Sequence, residues 1–118
     1  MKLNDIKKID KPWGYELWWA VTEKYVGKIL YIEKGHSLSL QYHEIKDETL
    51  YLQKGKLLLE IHNDNGEIEE IMMTSDKSFR IKPLVKHRLR ALEDSSVLEV
   101  SSPEVDDIVR IIDEYGRV

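Results

Sequence analysis

Residues 35–55 read GHSLSLQYHEIKDETLYLQKG and place Gln41, His43 and Glu48 close together inside a segment that otherwise looks like strand. Side chains on a strand alternate between two faces, so Leu38, Leu40 and Tyr42 form one set and Ser39, Gln41 and His43 the other. Gln41 and His43 can therefore converge on one point. The turn-like residues 44–47 would reverse the chain and bring Glu48 back beside them, on a face it shares with Leu50 and Leu52. Polar groups directed into an apolar interior cost free energy unless a hydrogen-bond network or an ion satisfies them.

Outward from this stretch, His87 is the second histidine of interest. Pro83 marks a turn, and the alternation that follows groups His87 with Leu89 and Ala91, leaving Arg88 and Arg90 on the opposite face. Two imidazoles, an amide oxygen and a carboxylate (His43, His87, Gln41, Glu48) make a nitrogen and oxygen donor set suited to zinc, iron, manganese or nickel. Spacing does not choose among these metals. No cysteine is present, so thiolate sites, disulfides and cysteine nucleophiles are excluded.

The rest of the chain reads as short strands separated by turns. Strands are expected over residues 15–21 and 26–32, and residues 57–62 and 67–73 flank Asn63-Asp64-Asn65-Gly66 as a hairpin. Further strands are expected around 79–81, 87–91 and 97–101, and a strand in preference to a short helix over 106–113. Nine or ten strands without βα alternation predict an all-β sandwich or barrel. The 118 residues suit one domain, 1–118, whose polar residues 1–12 are expected to be an arm. Eighteen basic against twenty-two acidic residues give a formal charge of −4, which argues against nucleic acid and anionic membranes as partners. With neither a signal-peptide pattern nor an apolar run of spanning length, a cytoplasmic location is expected.

The pattern Gly35, Gln41, His43, Glu48 and Gly55, followed by Pro83 and His87, resembles the two motifs of the cupin superfamily. More narrowly, Leu38-Ser39-Leu40-Gln41-Tyr42-His43 with Glu48, the opening Lys11-Pro12-Trp13-Gly14-Tyr15-Glu16, and the ending from Asp106 to Arg117 look like the type II mannose-6-phosphate isomerase cupin. The resemblance implies a jelly roll, or double-stranded β-helix, with Gln41, His43, Glu48 and His87 as ligands of a divalent metal, zinc first, at the barrel mouth. It also implies a homodimer and a sugar or sugar-phosphate substrate, converted as an aldose–ketose isomerase converts mannose 6-phosphate to fructose 6-phosphate. Such a reaction needs a polarised carbonyl, a proton carrier and cationic donors for phosphate. Glu48, Lys28 and Arg88 are the catalytic candidates, with Arg90 and Arg117 as further phosphate donors.

Three departures from the family pattern stand out. Glu44 and Ile45 follow His43 where histidines are common, Ile29 replaces the second residue of a basic pair with Lys28, and Pro83-Leu84-Val85-Lys86 lacks the usual glycine. An iron-dependent cupin dioxygenase using the same ligands and a non-catalytic carbohydrate-binding cupin are the alternative functions. His36 and His62 are expected at the surface, and Trp13, Trp18 and Trp19 mainly as packing residues.

Overall fold

The computed structural model describes residues 1–118, which form eleven strands and no helix. They are β1 (Lys7–Lys11), β2 (Gly14–Val21), β3 (Val26–Ile32), β4 (Leu40–Tyr42), β5 (Glu48–Lys54), β6 (Leu57–His62), β7 (Ile68–Met73), β8 (Ser78–Ile81), β9 (Lys86–Ala91), β10 (Ser95–Ser101) and β11 (Val109–Ile112). All pairings are antiparallel, in a six-stranded sheet of order β1-β2-β3-β10-β5-β8 and a five-stranded sheet of order β11-β4-β9-β6-β7. No helix is long and apolar enough to cross a membrane.

The core lies between the sheets and comes from alternate positions along each strand. Leu30 and Ile32 of β3, Leu50 and Leu52 of β5, Leu57, Leu59 and Ile61 of β6, Leu89 and Ala91 of β9 and Val97 of β10 are all buried. Each large aliphatic side chain among them contributes roughly 1.5–3 kcal/mol relative to remaining exposed. The β6–β7 hairpin forms as the Asn63–Gly66 turn predicts. Gly55, between β5 and β6, has φ +103°, and a Cβ there would collide with the backbone of Asp94 and Ser95. Only glycine makes that reversal without strain.

Two segments differ from the sequence expectation. The polar first dozen residues are not simply an arm, because Lys7–Lys11 pairs along its whole length with β2. Its apolar content is low because it is an edge strand with one face to solvent. His36 is half-covered rather than exposed and shares a 2.6 Å hydrogen bond with the Tyr115 hydroxyl, which ties the chain end to the start of the β4 segment. Residues 109–112 do form a strand, β11, paired with β4.

Candidate metal centre

Gln41 and His87 face each other as the register pair that joins β4 to β9. Glu48 opens β5 in the other sheet, so the polar groups meet across the sandwich at one end. His43 Nε2 and His87 Nε2 each lie 3.3 Å from Glu48 Oε1. Ligand atoms of His43, Glu48 and His87 all fall within 4.8 Å of one another, and the three residues are at most 4 % exposed.

The orientation of both rings follows from their other nitrogen. His43 Nδ1 donates to the Asp107 carbonyl at 2.6 Å, and His87 Nδ1 donates to the Val85 carbonyl at 2.9 Å. A carbonyl oxygen only accepts, so each Nδ1 carries a proton and each ring turns its Nε2 towards Glu48. Three lone-pair-bearing atoms facing one another in a buried space repel unless a proton or cation lies among them. The Gln41 Oε1 atom is also buried without a hydrogen-bond donor, as is His43 Nε2. This donor set, with two orphaned atoms, fits a divalent cation.

Local backbone features hold the cluster in place. The Asp107 carboxylate accepts the backbone N–H groups of Glu44, Ile45 and Lys46 at 3.0, 2.7 and 2.8 Å, fixing the turn between His43 and Glu48. Before His87, Leu84 takes φ +71° within the segment where the resemblance expects a glycine, and its N–H donates to the His43 carbonyl. A left-handed conformation is thus held here by a residue that adopts it at some cost.

Behind the cluster runs a chain of buried charges of which sequence reasoning found Lys28 and missed Lys46, Glu99 and Glu16. Lys46 Nζ lies 3.2 Å from both Glu48 Oε2 and Glu99 Oε2, while Lys28 Nζ lies 3.9 Å from Glu99 and 3.7 Å from Glu16. Trp18 Nε1 donates to Glu16 at 2.8 Å, and the Lys28 ammonium sits 4.3 Å from the Trp18 ring centre. Burial alone would raise the Glu48 carboxyl, but hydrogen bonds donated by the facing imidazoles when a proton sits on Nε2, together with the Lys46 charge, hold it well below the usual carboxylate range. Burial pulls the Lys46 ammonium down, yet Glu99 and Glu48 more than offset this and raise it. Glu99 is pushed up, first by burial and then by the Glu48 charge. The available signal was a charged residue within each inward alternation, Lys46 beside Glu48 and Glu99 between Val97 and Ser101.

These groups line a cavity of about 460 Å³, walled also by Lys7, Lys11, Arg110 and Arg117. Of the sequence candidates, the structure brings Gln41, His43, Glu48, His87, Lys28 and Arg117 to this cavity. It does not bring Arg88 or Arg90. Arg88 lies on the outward face of β9, where its guanidinium meets Glu60 at 3.1 Å, and Arg90 is exposed on the same face. The alternation that turns His87 inward turns both arginines away. The adjacent tryptophans also divide, Trp18 lining the cavity and Trp19 standing 47 % exposed on the outer face, while Trp13 packs in the core.

Solved structures share this architecture. A KdgF from a Halomonas species is 22 % identical over 87 % of this chain and 89 % of its own, with a TM-score of 0.73. Oxalate decarboxylase from Bacillus subtilis aligns with a TM-score of 0.77 at 13 % identity, over 94 % of this chain and 31 % of its own. The fold is the cupin jelly roll. The capsular polysaccharide assembling protein CapF from Staphylococcus aureus matches with a TM-score of 0.70 at 16 % identity, over 95 % of this chain and 32 % of its own. The chain thus spans about a third of the length of the decarboxylase and of CapF. No protein-family model matches the sequence, and no curated protein matches it in a sequence comparison.

Proposed function

We propose that this cupin is a metal-dependent enzyme acting on a sugar phosphate, as an aldose–ketose isomerase of the mannose-6-phosphate type. The observation that carries the reading is the convergence of His43, Glu48, His87 and Gln41 on one wall of a cavity of about 460 Å³ that is also walled by lysines and arginines. That volume lies within the range of small-molecule sites. A divalent ion held by these four residues would polarise the sugar carbonyl and gather adjacent oxygens. Zinc is the first choice for two imidazoles and a carboxylate, and the Mn(II) centres of the Bacillus subtilis oxalate decarboxylase support manganese as the second.

The residues of this chain supply the remaining requirements. Asp107 and Val85 hold the imidazoles in one tautomer, and Lys46 orients Glu48 from the side opposite the histidines. Lys28, above the Trp18 ring and between Glu16 and Glu99, is placed to donate to a sugar oxygen. Lys28 and Glu48 therefore remain catalytic candidates, and Arg88 does not, because it lies outside the cavity.

The test is elemental analysis of protein purified without a metal-affinity tag, combined with an assay of mannose 6-phosphate conversion to fructose 6-phosphate. About one divalent ion per chain is expected, falling to near zero in His43→Ala and His87→Ala, with turnover lost on chelation and restored by metal. Full metal content in both variants, or no conversion by the loaded protein, overturns the reading.

A further inference from the structure

The cavity separates its charges into two tiers. In the inner tier Glu16, Glu48 and Glu99 face only two ammonium groups, Lys28 and Lys46, and each of these is already paired with carboxylates. That excess of negative charge suits a cation. Lys28, a phosphate candidate from sequence, thus has its charge balanced by Glu16 and Glu99 within the wall.

The outer tier is different. Lys7 and Lys11 sit two alternations apart on β1 and line the cavity with Ile9, whereas Lys8 and Asp10 pair with each other away from it. Neither Lys7 nor Lys11 makes a salt bridge with a carboxylate, and the Lys7 ammonium lies 5.3 Å from the Trp18 ring centre. Arg110 of β11 is opposite Gln41 in the register, which sets its side chain on the same face as that metal-site candidate. Its Nε atom is buried and has no hydrogen-bond partner. Arg117 completes the outer tier but is neutralised by Asp113, which it meets through two 2.8 Å contacts. Asp106 is the one outer carboxylate without such a commitment, and it is exposed.

We infer that Lys7, Lys11 and Arg110 form a subsite for the phosphoryl group of the substrate, separate from the metal cluster and contiguous with it through Gln41. This rests on the sugar-phosphate reading above and reassigns the phosphate from Lys28, Arg88, Arg90 and Arg117 to Lys7, Lys11 and Arg110, from the two ends of the chain. A phosphate monoester matches the site chemically: a dianion accepts from the free Arg110 Nε–H and is neutralised by two ammonium groups. The unpartnered Nε is the feature that calls for an acceptor, because a buried donor left unpaired costs free energy.

Binding of mannose 6-phosphate, inorganic phosphate and neutral mannose to the metal-loaded protein, followed by calorimetry, tests the assignment. Lys7→Gln/Lys11→Gln and Arg110→Gln are expected to weaken both phosphate ligands roughly tenfold while leaving metal content and mannose binding unchanged. Lys8→Gln, on the outward side of the same strand, is expected to change neither. Lys7→Gln alone alters an exposed edge residue and keeps the test open should Arg110→Gln fail to fold. Unchanged phosphate affinity in the outer-tier variants, or an equal loss for mannose, overturns the subsite. Turnover of sugar phosphate with KM unaffected in these variants sinks the subsite and leaves the isomerase reading standing. Binding of inorganic phosphate that depends on the three residues, without turnover, supports the subsite and sinks the isomerase reading.

Discussion

The two ends of the same strands carry opposite chemistry. Along β5 the inward residues run Glu48, Leu50, Leu52; along β9 they run His87, Leu89, Ala91; along β3 they run Lys28, Leu30, Ile32. Strand β10 runs the other way, from Val97 to Glu99, and the antiparallel register sets Glu99 beside Lys28 and Val97 beside Leu30. One end of the sandwich is therefore a packed apolar core and the other a buried charge cluster, although both are built on the same backbone. The period of the strands decides which side chains enter the interior. Position along the strand decides what they can do there. Apolar packing tolerates no open space, while a site needs it, so the core is confined to one end and the cavity to the other.

The polar end should be the more sensitive to loss of one group. Lys46→Met leaves Glu48 and Glu99 buried together without their shared cation, and the metal-free protein is expected to lose about 3–5 kcal/mol in urea unfolding. A loss under about 1 kcal/mol would mean that this end is not dry, and the contrast would fail. At the apolar end Leu57→Ala removes a side chain with no exposed surface and should cost about 2–5 kcal/mol while metal content is retained. Loss of the metal together with stability would show that the two ends are not independent.

The smallest effect is expected at the rim, where Arg117 holds the Asp113 carboxyl down to about 2 from an ordinary value of 3.8. A carboxylate depressed on folding adds stability that is fully present above its unfolded value and is lost as the pH falls through its folded value. Asp113→Asn should therefore lower stability at neutral pH slightly and flatten its decline between about pH 4 and pH 2. Acid unfolding curves of the variant and the parent, if superimposable over that window, would remove the pair from the account.

The candidate site was legible in part. Gln41 and His43 stood out as neighbours on one polar strand face, and Glu48 and His87 because each begins an otherwise apolar alternation with a group that needs a partner; period two is a local property of the chain. Arg88 was legible too, in the sense that the same alternation points it away from His87. Lys46, Glu99 and Glu16 escaped notice because their meaning lies in cross-strand register: Glu99 matters through Lys28, which is opposite it on β3, and through Lys46, 53 positions earlier in the chain. Lys7 and Lys11 looked like the charges of a solvated arm until β1 paired with β2.

The amino-acid sequence alone determined that this chain is all-β, which residues of each strand share a face, and that a few polar side chains sit where apolar ones would pack better. Those are consequences of short-range backbone geometry and solvation. Only the tertiary structure decided which strands lie side by side, and so which charges neutralise one another and which are left free. Coulomb interactions and hydrogen bonds depend on distances through space, and the register that sets those distances joins residues too far apart in the chain for any local pattern to relate them.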